Sequence, residues 1–259
     1  MYQFDYQRPE TLDEAVALLK EDCKLLAGGQ TLLPTMKQRL AQPEALVDLG
    51  AIDSLRGVCP DDDKLAIGAM TTHAEVASKA DIPALACLAA GIGDPQVRNR
   101  GTIGGSVANN DPAADYPAAL LGLNAQVTTN KRVINADDFF VDLFETALEE
   151  NEIIINVTFP RPQAAAYVKF DNPASRYAIV GVFVAKTGSG VRVAVTGAGP
   201  CVFRHKGLET ALNNNFSAQA IEGVSVSAAG LNSDIHASAD YRANLIKVLT
   251  KRAVAQIGG

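Results

Sequence analysis

One stretch of the chain gathers glycines and small polar side chains at a density suited to ligand binding: Gly101-Thr102-Ile103-Gly104-Gly105-Ser106-Val107-Ala108-Asn109-Asn110-Asp111-Pro112-Ala113-Ala114-Asp115. Glycine lets a backbone turn tightly and come close to a ligand, and short polar side chains can line that approach. The run has no helical or strand period, so it reads as a loop. Upstream, Ala27-Gly28-Gly29-Gln30-Thr31 forms a second glycine loop after the apolar run Lys24-Leu25-Leu26. Two such loops suit a phosphate-bearing cofactor held by backbone N–H groups. A strict G-x-G-x-x-G is absent, which disfavours a Rossmann dinucleotide domain. Taken alone, Gly28-Gly29 is as good a turn as a ligand loop.

Other chemistry is sparse. Cys23, Cys59, Cys87 and Cys201 form no C-x-x-C pair, so the chain offers no metal or iron–sulfur framework. Each reads as a buried, reduced thiol. His73, His205 and His236 are scattered, without H-E-x-x-H spacing, and no serine stands in a G-x-S-x-G elbow. A metal enzyme and a Ser-His-Asp hydrolase are both disfavoured. The net charge of −6, without a basic stripe, argues against nucleic acid as a partner. Apolar runs are too short to span a bilayer, and Met1-Tyr2-Gln3-Phe4-Asp5 is no signal peptide, so the cytoplasm is the expected location. With 259 residues, 47% hydrophobic and 20% charged, the chain should be globular, as one large domain or two ordinary ones.

The elements that must position these loops can be read from period and punctuation. Thr11-Leu12-Asp13-Glu14 and Thr72-His73-Ala74-Glu75 are capping boxes opening helices. Short strands are expected at Lys24 to Ala27, Ala45 to Asp48, Lys64 to Ala69 and Ala125 to Thr129. A core helix is expected over Ile82 to Ile92 and a shorter one over Pro117 to Leu123. Ile153, Ile155, Val157 and Phe159 alternate as in a half-buried strand. Pro160-Arg161-Pro162 stops that strand and marks a domain boundary, giving domains 1–162 and 163–259. Beyond it, Ala166 to Phe170, Ala178 to Lys186 and Val191 to Thr196 read as three antiparallel strands. Thr187-Gly188-Ser189-Gly190 turns a hairpin between the last two. Helices follow at Lys206 to Leu212, Ala218 to Glu222 and Ala239 to Ile257, the last with Tyr241, Leu245, Val248, Leu249 and Ile257 at helical spacing.

Ala27-Gly28-Gly29-Gln30-Thr31-Leu32-Leu33-Pro34 and Thr102-Ile103-Gly104-Gly105 together resemble the two flavin motifs of the FAD-binding medium subunits of molybdenum hydroxylases. That family includes carbon monoxide dehydrogenase medium subunits and the FAD domain of xanthine dehydrogenase. Supporting context comes from Gln42-Pro43, Pro95-Gln96-Val97-Arg98-Asn99, Asp111-Pro112-Ala113-Ala114-Asp115, Lys169-Phe170 and Thr196-Gly197-Ala198-Gly199. The resemblance covers nearly the whole chain. It implies an α+β fold: a two-lobed, vanillyl-alcohol-oxidase-like FAD-binding domain with FAD between the lobes. A C-terminal domain of a three-stranded antiparallel sheet and helices would follow. It further implies that Leu26, Ala27, Gly28, Gly29, Gln30 and Thr31 wrap the pyrophosphate. Thr102, Ile103, Gly104, Gly105, Ser106 and Asn109 would complete the cradle. Asp115 would contact the ribityl chain, Ile154 and Lys169 would lie at the flavin ring, and Tyr177 would shield one of its faces. Two departures stand out: Ser106 replaces an asparagine common in the family, and Gln30 a serine or histidine. The first motif holds no histidine for a covalent flavin bond.

The resemblance also implies a function. The chain would carry FAD in a heterotrimer, dimerised as a whole, whose small subunit holds [2Fe–2S] clusters and whose large subunit holds molybdopterin. Electrons would pass through the FAD to NAD⁺, oxygen or a quinone-type acceptor, with substrate oxidised on another chain. The alternatives are a stand-alone FAD oxidase or dehydrogenase with its own substrate pocket, and a flavin-free scaffold. Without the resemblance, Asp115 reads as the cap of the helix near Pro117. Lys169 then reads as a solvated strand charge and Tyr177 as a core or edge aromatic.

Overall fold

The computed structural model describes residues 1–20 and 22–258. The N-terminal lobe is small. Strands β1 (Asp5–Gln7), β2 (Cys23–Leu26) and β3 (Ala45–Asp48) form a parallel sheet in the order β1-β3-β2. Helix α1 (Leu12–Leu18) leads into β2, and α2 (Leu32–Lys37) joins β2 to β3. Parallel neighbours require such crossovers. The capping box at Thr11 is formed from both sides: Thr11 accepts the Glu14 amide and Glu14 accepts the Thr11 amide. Ala15, Val47, Leu49, Ile52 and Leu55 fill a separate core here.

The second lobe comprises β4 (Val58–Pro60), β5 (Lys64–Gly68), α3 (His73–Lys79), α4 (Pro83–Ala90), α5 (Pro95–Arg98), α6 (Ile103–Asn109), α7 (Tyr116–Leu123), β6 (Gln126–Thr129), β7 (Val133–Asn135), α8 (Ala136–Phe139), β8 (Phe140–Asp142), β9 (Glu145–Thr146) and β10 (Ile154–Pro160). Its antiparallel sheet runs β4-β5-β10-β6-β7. The alternation expected in β10 breaks at a register shift between Ile154 and Asn156, so Ile153 and Ile154 are both buried while Ile155 is half-buried.

The C-terminal part follows the expected pattern with one addition. Strands β11 (Ala164–Asp171), β12 (Ala178–Thr187) and β13 (Gly190–Thr196) are antiparallel, and a fourth, β14 (Phe203–Arg204), extends the sheet. Helix α9 (Lys206–Asn214) and the long α10 (Ala239–Ile257) pack on it, while the segment expected as a helix near Ala218 is a 3-10 turn, Gln219–Ile221. Leu245, Ile246, Leu249, Ala253 and Val254 bury the inner face of α10, and Tyr241 stays outside against Phe170.

Two expectations change. Glycine-rich residues 103–109 are not a loop but helix α6. Thr102 caps it by accepting the Gly105 amide, and Ile103 and Val107, one helical turn apart, are wholly buried. A cap and an apolar pair outweigh the low helix propensity of two glycines. The cysteines are not buried thiols either: Cys59 and Cys87 are exposed, Cys23 and Cys201 half-buried. Cys59 lies on the edge strand β4, and Cys87 on the face of α4 opposite its packed residues Leu85, Leu88 and Ala89.

Candidate functional site

The two glycine motifs meet. A side-chain carbon on Gly28 would lie 2.1 Å from the Arg100 carbonyl oxygen and 2.7 Å from the Gly101 Cα, so only glycine permits the contact. One on Gly105 would stand 3.3 Å from the Ala27 Cβ. The first loop therefore rests directly on the start of α6. Gly29 is left-handed, at φ +73°, which lets the chain turn from β2 into α2. The amides of Gly28, Gly29, Gln30 and Thr31 reach no acceptor among the described residues. Consecutive free N–H groups around a left-handed residue make a concave site for an anion.

The first turn of α6 differs. Ile103 donates to the Thr71 carbonyl at 3.1 Å, Gly104 to the Ala69 carbonyl at 2.8 Å, and Ser106 to the Thr102 carbonyl at 3.1 Å. Gly105 donates to the Thr102 hydroxyl at 3.2 Å. These amides, expected to complete a phosphate cradle, are already bonded within the protein. Gly104 serves packing, since a side-chain carbon there would sit 2.6 Å from the Ala69 Cβ. The second motif still offers the Thr102 amide and the half-buried side chains of Ser106 and Asn109, none with an acceptor or partner among the described residues.

Past α6 the chain reaches Asp115, only 4% exposed. Its side chain does not cap α7, so the cap reading fails. Instead Oδ1 accepts from the Tyr167 hydroxyl at 2.5 Å and lies 3.0 Å from Lys169 Nζ. Burial pushes the Asp115 carboxyl above the usual aspartate value, and the Lys169 charge opposes that shift. Lys169 is no solvated charge: it also donates to the Gly91 and Arg176 carbonyls, both at 2.9 Å. Tyr167 was not anticipated. It stands two residues before Lys169 on β11, hence on the same strand face, and that period was the available signal.

Tyr177 is 46% exposed. Burial and the carboxylates of Asp111 and Asp115 push its hydroxyl above the ordinary tyrosine value, and the next residue, Ala178, donates its amide to the Ala113 carbonyl at 3.3 Å. Ile154 faces the second lobe's core at 5% exposure; its neighbour Ile155 packs on the first lobe's core. Beneath Gly101 lies His73, also unanticipated, with its Nδ1 buried and unpartnered, as is the Tyr116 hydroxyl. Their rings lie 5.4 Å apart. Burial, helped by the Arg98 charge, lowers the His73 pKa to about 4. Among the described residues no three His, Cys, Asp or Glu side chains gather as a metal site.

These features fit a flavin dinucleotide: free amides for the phosphates, unpartnered polar side chains beside them, and a buried carboxylate further along. Comparison with known proteins agrees. Residues 2–162 match the family described as the FAD binding domain in molybdopterin dehydrogenase, and residues 165–257 match the CO dehydrogenase flavoprotein C-terminal domain. The chain is 36% identical to the carbon monoxide dehydrogenase medium chain of Hydrogenophaga pseudoflava, over 97% of this chain and 96% of that one. It is 37% identical to the nicotine 6-hydroxylase medium subunit of Paenarthrobacter nicotinovorans, over 98% and 96%. A solved structure of the Hydrogenophaga pseudoflava carbon monoxide dehydrogenase superposes with a TM-score of 0.89 at 35% identity, covering 99% of this chain and 97% of that one. With two glycine motifs meeting at the lobe junction and both family domains in order, the chain belongs to the FAD-binding medium subunits of the molybdenum hydroxylase family.

Proposed function

We propose that the chain is the electron-transfer subunit of a molybdenum-dependent oxidoreductase. Its partners in this reading are a small [2Fe–2S] chain and a large molybdopterin chain, paired as a dimer of heterotrimers in the cytoplasm. Substrate is oxidised on the large chain, and electrons leave through this chain to NAD⁺, oxygen or a quinone-type acceptor. FAD, when bound, supplies the redox step by taking up electrons and passing them on. The observation that carries the reading is the run of free amides from Gly28 to Thr31 held against Gly101.

The protein's own residues then divide the work of holding the cofactor, with residues 1–162 as the FAD-binding domain. The Leu26 to Thr31 loop binds the pyrophosphate through backbone N–H groups. Thr102, Ser106 and Asn109 add polar contacts, with Ile103, Gly104 and Gly105 shaping the floor. Asp115, fixed by Tyr167 and Lys169, accepts a ribityl hydroxyl. Lys169 and Ile154 border the ring, and Tyr177 covers it.

Purified alone, the chain should carry one FAD, released completely by acid, and neither iron nor molybdenum. Its flavin band should bleach anaerobically when reduced partner chains are added, and not with aldehydes, purines or aromatic heterocycles. Direct bleaching of the isolated chain by an organic substrate would overturn this reading in favour of a stand-alone oxidase. Colourless protein that cannot be reconstituted with FAD would leave only a scaffold.

A further inference from the structure

The hairpin of β8 and β9 ends in an apolar tip. Val141, Leu143 and Phe144 are 55%, 51% and 57% exposed. Three large hydrophobic side chains exposed within four residues of one turn form an apolar patch of the kind that interaction surfaces carry. Phe144 is left-handed, at φ +55°, a conformation that strains an aromatic residue. The strain is held from inside. Buried Asn110, itself left-handed, donates its amide group to the Asp142 carbonyl at 2.8 Å and the Glu145 carbonyl at 2.7 Å. These carbonyls bracket Leu143 and Phe144. Asp142 also accepts the Leu143 amide at 2.7 Å. The tip is thus preorganised, which lowers the ordering cost of binding.

From this geometry we infer that the hairpin tip is the seat of the iron–sulfur partner chain, with Leu143 and Phe144 entering an apolar pocket rimmed by Lys or Arg. Two observations select that occupant. Asn110 ends α6, the helix that begins at the second glycine motif, and Asp111 to Asp115 continue from it to the buried carboxylate. The hairpin therefore belongs to the same hydrogen-bonded block as Asp115, and in the electron-transfer reading the electron-delivering chain docks on the block that holds the cofactor. The rim is acidic: Asp138, Asp142 and Glu145 are exposed and form no ion pair among the described residues, whereas Asp137 is taken by Arg192 and Arg204. An acidic rim on a chain of net charge −6 steers a basic counterpart. The inference rests on the electron-transfer reading above.

The test uses the full chain and its separately purified [2Fe–2S] and molybdopterin chains. Phe144→Gly removes the anchor at a backbone position that glycine adopts freely, so the fold is not strained by the change. It should weaken binding of the [2Fe–2S] chain about tenfold or more, as loss of an aromatic hot spot does. FAD content should stay the same, and thermal stability the same or higher. Leu143→Ser should act likewise. The double charge reversal Asp142→Lys with Glu145→Lys should also weaken binding, with a deficit that shrinks as salt is raised. Wild-type affinity in Phe144→Gly and Leu143→Ser would overturn the inference. So would loss of only the molybdopterin chain, or loss of only self-association, since each names a different occupant. If the wild-type chain binds no [2Fe–2S] chain at all, the electron-transfer reading itself falls.

Discussion

Gly28 and Gly104 look alike in the sequence but answer to different neighbours. Gly28 abuts the backbone of Arg100 and Gly101 at the lobe junction, whereas Gly104 abuts Ala69 inside the second lobe. Gly104→Ala should therefore lower the free energy of unfolding by about 1–3 kcal/mol, as overpacking of a rigid contact does. Gly28→Ala should displace the first loop and cut FAD affinity more than it cuts stability. Denaturation curves and FAD titrations of both variants check this, and equal loss of affinity in the two would refute it. At Lys169 the expectation follows from burial. Lys169→Met leaves the Asp115 carboxylate enclosed with Tyr167 as its remaining side-chain partner. Removing one member of a buried ion pair costs about 3–5 kcal/mol, so the variant should unfold at clearly lower denaturant. A variant as stable as wild type would mean that Asp115 is neutral or solvated.

Between elements, the contact of α3 with the start of α6 carries a pH signature. Thr72 and Thr102 bridge the two segments, and His73 Nε2 lies where a Gly101 side chain would be, 2.5 Å from its Cβ position. Folding holds the His73 pKa at about 4, against 6.5 for an ordinary histidine, chiefly by burial. As pH falls through 6.5 the unfolded chain takes up a proton that the folded chain refuses until about 4. The stabilisation is therefore complete above that upper value and is lost progressively below it. Between pH 7 and 5 the loss should be about 2 kcal/mol. His73→Gln should flatten that part of the stability–pH curve, as read by urea denaturation at each pH. An unchanged slope would place the titration elsewhere.

Across the whole molecule, the packing does not respect the change of style at Pro160-Arg161-Pro162. The largest core joins Leu65, Ile103, Tyr116, Val127 and Phe159 of the second lobe to Tyr167, Phe183, Ala185, Ala194 and Val202 of the C-terminal part. Phe183 sits so close to Gly122 that a side-chain carbon there would be 2.6 Å away. Arg192 donates to the Leu121 carbonyl and to Asp137, stitching the same seam. The N-terminal lobe, by contrast, builds a separate small core, completed by Met70 and Ile153 of the second lobe. A fragment ending at residue 162 should therefore expose the floor of the main core and fail to fold, with broad unfolding and dye binding in solution. A soluble fragment 1–162 with a sharp melting transition would show that the C-terminal part is dispensable.

What the sequence determined by itself was local. Capping boxes at Thr11 and Thr72, the hairpin at Thr187 to Gly190 and the helix Ala239–Ile257 are set by nearest-neighbour chemistry, and they stand where it puts them. The two glycine motifs were legible as a combination of residue types, enough to reveal the family. Tertiary structure decided what that pattern left open. Whether residues 103–109 were loop or helix depended on burying Ile103 and Val107. Which amides of the two motifs stay free depended on the Thr71 and Ala69 carbonyls, distant in sequence, which take those of Ile103 and Gly104. Whether Asp115 caps a helix or holds a buried lysine was settled by β11, which brings Tyr167 and Lys169 across more than fifty positions of chain. Hydrogen-bond satisfaction and close packing are properties of what meets in space, and a one-dimensional pattern fixes only the types of residue available to meet.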